Sequence, residues 1–152
     1  MDSVLLTASS GGHLEEISNL DLVGENYEAI LLTEKTDFSV SAWYDRVYYV
    51  PQVNRKELKC IPKLISNGFT ALRVLRRHKP VAVISTGALA TVPVCLLAKL
   101  RKIKVIYIES FARVHDRSLT GRLVYPMADL FLVQWETLLK CYPKAKYVGG
   151  IF

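Results

Sequence analysis

The chain lacks the patterns that mark several protein classes. Its 152 residues include three widely spaced cysteines and no CxxC pair, which excludes a disulfide framework and predicts buried thiols in a reducing compartment. The longest apolar run, 88–98, is interrupted by Thr91 and Pro93 and is shorter than the roughly 20 residues of a membrane-spanning helix. The first residues have no basic flank before their apolar stretch, so we expect neither a secretory signal nor a transmembrane segment.

Two nucleotide-binding motifs are also absent. There is no GxGxxG and no GxxxxGK[ST], which excludes the dinucleotide fingerprint and disfavours a nucleoside triphosphatase. The chain carries 20 basic and 14 acidic residues, a formal net charge of +6. Nucleic acid is not an expected partner, because no zinc-finger spacing and no basic run with interleaved aromatics accompanies that charge. The charge remains compatible with anionic lipid or phosphorylated substrates.

The composition is that of one folded domain, and we assign residues 1–152 to it. Hydrophobic residues make up 51% and charged residues 22% of the chain, enough to bury a core. The mean hydropathy of +0.20 is high for a soluble monomer and predicts apolar surface meant for a partner, a second copy or a membrane.

Short apolar runs alternate with helical patterns along the whole chain. The runs predict strands at 3–8, 27–33, 46–50, 81–85, 104–108, 130–133 and 147–148, and helices at 14–22, 54–77, 90–100, 120–127 and 135–141. The capping-box spacing of Asn54 and Glu57 opens the longest helix. Continuously apolar strands separated by helices predict a parallel sheet covered on both faces, that is, a Rossmann-like, doubly wound α/β domain.

Ligands of such sheets bind beyond the carboxyl ends of the strands, where three loops of this chain carry polar groups. We predict that these loops bind a phosphate or an acceptor, through paired glycines that let a ligand approach the backbone and through hydroxyl and guanidinium groups. The candidates are Ser9, Ser10, Gly11, Gly12, Thr86, Gly87, Ser110 and Arg113. The alternatives are a tight turn that needs glycine for its geometry and a Glu109–Arg113 ion pair that only orders its loop.

Two residues of these loops are candidate general bases. His13 follows the paired glycines and is the first choice, and Glu109, directly after an apolar strand, is the second. Capping and packing are the structural alternatives for His13. No cluster with metal-ligand spacing is present, so no metal is expected.

The helix predicted at 54–77 is amphipathic. Ile61, Leu64, Ile65, Leu72 and Leu75 share one face, and the basic side chains of Lys63, Arg73, Arg76 and Arg77 lie off it. A basic amphipathic helix can lie on an anionic membrane surface. The alternative is a helix that covers the sheet and presents its charges to water.

Four segments in this order resemble one family. They are SSGGHL at 9–14, STGA at 85–88, IESFAR at 108–113 and DLFLVQW at 129–135, followed by KAKYVGG at 144–150. Together they resemble the Alg-type anchor subunit of the two-part UDP-N-acetylglucosamine transferase of dolichol-linked glycan assembly, and more closely its bacterial counterparts in capsule and exopolysaccharide synthesis.

The resemblance implies the N-terminal, acceptor-side half of a GT-B glycosyltransferase that is split over two polypeptides. It implies a separate catalytic subunit that binds the UDP-sugar, a lipid-diphosphate-linked saccharide as acceptor, and no cofactor. The eukaryotic anchor subunits begin with a hydrophobic membrane segment that is absent here, so we expect peripheral attachment to the cytoplasmic face of the membrane, through the basic and apolar helix surface or through other proteins. The glycine loop and residues 86 and 87 would hold the diphosphate, and Glu109 would lie beside the acceptor sugar. A free-standing nucleotide-sugar-dependent enzyme and a pure scaffold for a catalytic partner remain as alternatives.

Overall fold

The computed structural model describes residues 1–37 and 39–151. Within them, seven strands form one parallel sheet: β1 (Ser3–Ala8), β2 (Glu28–Glu34), β3 (Arg46–Val50), β4 (Ala82–Gly87), β5 (Lys104–Ile108), β6 (Leu130–Val133) and β7 (Lys146–Tyr147). Their order across the sheet is β3-β2-β1-β4-β5-β6-β7. The predicted Rossmann-like, doubly wound fold is thus confirmed. The strand order reverses between β1 and β4, which makes the gap beyond their carboxyl ends the switch point of the sheet.

Helices cover both faces of this sheet. One face packs against α3 (Cys60–His78), α4 (Val92–Leu100) and α5 (Leu119–Val124), and the other against α1 (Gly12–Ser18) and α2 (Leu22–Asn26). Along β1, Leu5 points into the first core, whereas Val4 and Leu6 point into the second. This alternation explains the continuously apolar strands, since both faces of each central strand are buried.

The helix predicted at 14–22 is instead two short helices. Ser18 ends α1, and its hydroxyl donates to the carbonyl of Leu14 at 2.7 Å. Asp21 then caps α2 by accepting from the backbone N–H of Leu22 at 3.0 Å. Side chains of this kind break a helix because they offer the backbone local alternatives to helical hydrogen bonds.

The longest helix begins at Cys60 rather than at the predicted capping box. Asn54 Oδ1 accepts from the N–H of Lys56 at 3.1 Å, and the N–H of Glu57 donates to the carbonyl of Asn54 at 3.1 Å. These bonds close a turn and not a helix start. Pro62 consequently falls in the first turn of α3, where its missing N–H costs no hydrogen bond. Two 3₁₀ turns, Leu89–Thr91 and Glu136–Lys140, complete the helical segments, the second in place of the helix predicted at 135–141.

Candidate functional site

The loops that follow β1 and β4 meet at the switch point and are joined there by two hydrogen bonds. His13 Nδ1 lies 2.9 Å from the carbonyl oxygen of Thr86, and Thr86 Oγ1 donates to the carbonyl oxygen of His13 at 2.6 Å. The side chain of Thr86 is completely buried. Its hydroxyl therefore joins the two loops and is engaged by a protein group, whereas the sequence analysis assigns it to phosphate binding.

These bonds also define the tautomer of His13. A carbonyl oxygen can only accept a hydrogen bond, so Nδ1 must carry the proton. In the neutral ring the lone pair is then on Nε2, which is the atom that can accept a proton. The half-buried ring is thus oriented for general-base chemistry by a backbone carbonyl.

Gly87 supports the His13 ring through its lack of a side chain. Its φ is +119°, and a Cβ built there would lie 3.0 Å from His13 Cε1 and 3.1 Å from the Tyr107 hydroxyl. The N–H of Gly87 donates to Ser85 Oγ at 3.2 Å. Residue 87 is therefore a buried support for the imidazole, which differs from the predicted direct contact with phosphate.

The first loop presents its glycines to solvent. Gly11 has φ +81°, both Gly11 and Gly12 are exposed, and no atom lies within 4 Å of a Cβ built at either position. An open cleft of about 350 Å³ lies between these glycines and the hydroxyl-bearing residues Ser39 and Ser41. A polar ligand could enter this cleft, whose lining includes the residues directly before His13 in the chain and those directly after it, Leu14 and Glu15. Ser39 and Ser41 were not predicted from the sequence.

The two serines of the first loop are engaged within the protein. Ser9 Oγ donates to the carbonyl of Ser10 at 3.3 Å, and Ser10 Oγ is 3.5 Å from Gln52 Nε2. The backbone N–H of Ser10 is bound by the buried carboxylate of Glu34, which also accepts from the N–H of Val53 at 3.2 Å. Burial raises the pKa of Glu34, and the backbone donors oppose that shift.

Glu109 differs most from its predicted role. It is completely buried, and its carboxylate accepts from the N–H of Ser110, the N–H and hydroxyl of Ser118, and the hydroxyl of Tyr142. The two shortest of these bonds are 2.7 Å to Ser118 Oγ and 2.6 Å to the Tyr142 hydroxyl. With all of these donors in place, Glu109 holds the stem of the loop and has no open side for an acceptor sugar.

The remaining two candidates of this loop divide between the interior and the surface. Ser110 is nearly buried and its hydroxyl donates to Glu16 at 3.1 Å. Arg113 is half-exposed and pairs with Asp116 at 2.9 Å, so the alternative of a Glu109–Arg113 ion pair is wrong. Of the two, Arg113 is the one whose charge can reach a ligand.

Glu16 is a buried carboxylate on α1 that is not among the candidates predicted from the sequence, and it is only 3% exposed. Its carboxylate accepts from Ser110 Oγ, from the N–H of Phe111 and from Gln134 Nε2. Burial raises the pKa of Glu16, and these donors counteract the shift. The sequence signal was its place between Leu14 and Ile17 on the buried side of α1. Among the described residues, no three His, Cys, Asp or Glu side chains are grouped so that they could hold a metal ion.

The basic helix α3 buries a different stripe from the one predicted. Its buried residues are Asn67, Ala71, Val74 and Leu75, whereas Ile61, Ile65 and Phe69 are 69%, 57% and 69% exposed. The exposed stripe and neighbouring side chains of α4 line an open apolar groove of about 390 Å³; its lining is Ile61, Leu64, Ile65, Gly68, Phe69, Leu72, Val92, Pro93, Leu96 and Leu97.

Three of the four predicted membrane-surface cations border this groove. Arg73, Arg76 and Arg77 are exposed and lie beside Phe69 and Leu72. Lys63, the fourth, is instead engaged in an ion pair with Glu57. Among the described helices, none has the length and apolar character needed to cross a bilayer.

Solved structures with the same fold are longer than this chain. MurG from Acinetobacter baumannii matches with a TM-score of 0.69 at 20% identity, over 88% of this chain and 41% of that protein. The S. aureus MnaA–UDP structure matches with a TM-score of 0.75 at 16% identity, over 99% of this chain and 44% of that one. The chain therefore spans less than half the length of these structural neighbours. At such identities the likeness establishes the fold.

Sequence comparison gives a narrower result. UDP-N-acetylglucosamine transferase subunit ALG14 from Homo sapiens is 29% identical and covers 98% of this chain and 82% of the human protein. The protein of the same name from Candida albicans is 32% identical over 97% of this chain and 76% of its own length. The family described as "Oligosaccharide biosynthesis protein Alg14 like" matches residues 27–151. The chain therefore belongs to the Alg14-like family of oligosaccharide biosynthesis proteins.

Proposed function

We propose that this chain is the acceptor-side, membrane-recruiting subunit of a two-part glycosyltransferase, which moves a sugar from a UDP-sugar to a lipid-diphosphate-linked saccharide. The observation that carries the proposal is the oriented His13 beside two exposed glycines at the switch point. The names of its relatives, which are transferase subunits, support it.

The acceptor site in this proposal is the cleft at the first loop. The exposed backbone at Gly11 and Gly12 lets a diphosphate approach closely, and Arg113 supplies the positive charge. The acceptor hydroxyl attacks C1 of the donor sugar, forming the new glycosidic bond as the bond from C1 to UDP breaks. His13 Nε2 takes the hydroxyl proton, because Nδ1 already carries one. The UDP-sugar is the donor substrate of the complex, and the step as written needs no cofactor.

The catalytic partner subunit binds the donor and docks on the α1–α2 side of the sheet. On that face, Ile106 of β5 and the residues Leu130 and Leu132 of β6 are only half-buried, whereas the corresponding residues of β1 are fully buried. Half-exposed residues along β5 and β6 leave apolar area for a second polypeptide. The names of the relatives, which are subunits of a transferase, support a donor-binding polypeptide as the occupant rather than a second copy.

The groove between α3 and α4 attaches the subunit to the membrane. Exposed Ile65 and Phe69 supply apolar insertion, and Arg73, Arg76 and Arg77 supply attraction to anionic headgroups. In this proposal the protein is peripheral and lies on the cytoplasmic face, where a UDP-sugar and a lipid-linked acceptor meet. Assignment to bacterial capsule or exopolysaccharide synthesis rests on the motif resemblance alone.

The experiment that tests this function is transfer of labelled sugar from a panel of UDP-sugars to lipid extracted from the source membranes. We expect no transfer by the chain alone and transfer when the soluble fraction of the source cell is added. Transfer by the chain alone would contradict the split enzyme and favour a free-standing enzyme.

A pair of histidine variants separates catalysis from scaffolding in the same assay. His13→Gln should remove transfer while the complex still assembles. His115→Gln, at an exposed histidine of the loop that carries Arg113, should retain transfer. Full transfer with His13→Gln would favour the pure scaffold.

A further inference from the structure

Glu16 lies at the junction of three segments that the proposed reaction depends on. It is on α1 three residues after His13. Its Oε1 accepts from Ser110 Oγ and from the backbone N–H of Phe111, both at 3.1 Å. Its Oε2 accepts from Gln134 Nε2 at 3.2 Å. A single carboxylate thus joins the helix that carries His13, the loop after β5 and the end of β6.

The direction of these hydrogen bonds depends on Glu16 being an acceptor at both oxygens. Both oxygens of the Glu16 carboxylate are acceptors, so Gln134 must turn its amide nitrogen toward Glu16. The same nitrogen also donates to the carbonyl of Glu109 at 3.1 Å. Gln134 Oε1 is then directed away and accepts from the N–H of Ile151 at 3.0 Å. The carboxylate at residue 16 therefore determines which way the amide points, and through it how the segment 149–151 is held.

The loop that carries Arg113 is fixed at both of its ends by buried carboxylates. Glu16 holds the first end through Ser110 and Phe111, and Glu109 holds the second through the N–H and hydroxyl of Ser118. Because Glu16 and His13 are on the same short helix, the first clamp sets the position of the loop relative to the imidazole. Glu16 is buried, and this burial raises its pKa. A buried carboxylate that is bound by protein donors is suited to holding segments in place rather than to contact with water.

We propose that Glu16 is a positioning residue for the transfer reaction: it fixes the loop of Arg113 beside His13 and, through Gln134, orients the segment 149–151. The role of Glu16 in a reaction rests on the proposed function. Its hydrogen bonds to Phe111 and, through Gln134, to Ile151, here called the relay, can be tested in the isolated chain. A carboxylate at residue 16 is required because an amide would present a donor to one of its three donors.

The relay is tested by amide hydrogen exchange of the chain, observed by NMR. In Glu16→Gln, the new amide nitrogen faces either the N–H of Phe111 or Gln134 Nε2. Protection should fall about tenfold at Phe111 in the first orientation and at Ile151 in the second, the loss of one charge-assisted bond. Glu15→Gln, its exposed neighbour with the same change of charge, should leave both amides protected.

The positioning of the reaction is tested by kinetics of the assembled complex with extracted lipid acceptor. Glu16→Gln should raise KM for the acceptor about tenfold while kcat stays within about threefold, since the altered contact places a binding group and not the base. Ser110→Ala, which removes a single donor, should also raise KM, and it replaces Glu16→Gln if that variant folds poorly.

A wild-type complex without transfer would overturn the proposed function, while the exchange data would still decide the relay. Unchanged protection at Phe111 and Ile151, or unchanged KM despite lost protection, would overturn the role of Glu16.

Discussion

At the scale of single residues, the imidazole of His13 depends on the absence of a side chain at Gly87. The backbone there has a φ that side-chain-bearing residues rarely adopt, and the space above its Cα is taken by the His13 ring and the Tyr107 hydroxyl. Two separate penalties therefore apply to any substitution, one of backbone strain and one of overlap.

Gly87→Ala should destabilise the fold by ~1–3 kcal/mol and displace the ring from the Thr86 carbonyl. Urea unfolding measures the first effect, and transfer by the assembled complex measures the second. Gly68→Ala, within α3, is the matched control, because a Cβ there would make an ordinary contact of 3.7 Å with Pro93 Cβ of α4. This variant should be as stable as the wild type or more stable by ~0.5–1 kcal/mol. A Gly87→Ala chain as stable as the wild type would contradict the crowding at this position.

The buried carboxylate of Glu34 should make stability depend on pH. Its pKa is raised above the ordinary value of 4.5 by burial, so between these two values the folded chain binds the proton more tightly than the unfolded chain. The contribution of Glu34 to stability is then greatest at and below pH ~4.5 and is lost as pH rises through the folded pKa. The free energy of unfolding of the wild type, relative to Glu34→Gln, should accordingly fall over that window and be constant above it.

Urea titrations from pH 4.5 upward test this trend. Glu15→Gln serves as the control because the Glu15 carboxylate is exposed. The free energy of unfolding of the wild type, relative to Glu15→Gln, should not fall over that pH window. A difference between wild type and Glu34→Gln that does not vary with pH would show that burial does not shift the proton affinity of Glu34.

At the scale of elements, α3 shows which parts of the structure the sequence could reveal. The strands were predicted to within one or two residues at their ends, because both faces of a central strand are buried and the apolar run is continuous. The helix stripe was misassigned, because Ile61, Ile65 and Phe69 are as apolar as core residues, and only the packing of α3 on the sheet shows that Asn67 and Ala71 face inward.

The polar site was predictable to a smaller extent than the fold. The sequence patterns placed His13 and the glycines at the carboxyl edge of the sheet, because these residues directly follow the end of β1. They could not reveal that Thr86 and Glu109 have their polar atoms occupied by other protein groups, because those bonds join residues far apart in the chain.

The exposed face of α3 should bind anionic membranes. We expect the chain to sediment with vesicles of phosphatidylglycerol and phosphatidylcholine and much less with phosphatidylcholine alone. Neutralising Arg76 and Arg77 together should lower the partition coefficient about tenfold or more, at about 1 kcal/mol per cation near the surface. Phe69→Ser should also lower it by removing apolar insertion.

Leu22→Ser is the matched control for Phe69→Ser, because Leu22 is also 69% exposed but belongs to α2 on the opposite face of the sheet. Its vesicle binding should equal that of the wild type. Equal losses in the two variants would point to general apolar adhesion and contradict a specific face of α3.

At the scale of the whole molecule, the two covered faces of the sheet have different remaining surfaces. One carries the basic, apolar groove of α3 and α4, and the other leaves β5 and β6 incompletely covered. A subunit that is bound to a lipid surface on one side and to a catalytic partner on the other would hold its acceptor loops between the two.

This arrangement predicts that the two surfaces can be inactivated independently. Leu130→Glu, at the half-buried start of β6, should weaken assembly with the donor-binding fraction at least tenfold, because a charge would be desolvated against apolar partner area, while vesicle binding persists. Leu96→Glu, in the groove lined by α3 and α4, should weaken vesicle binding while assembly persists.

Assembly is measured by co-sedimentation in an analytical ultracentrifuge, which also reports whether Leu130→Glu dissociates a dimer of the chain itself. Loss of self-association without any effect on the partner would identify this sheet face as a contact between copies, and loss of both functions in either variant would show that the surfaces are not separate.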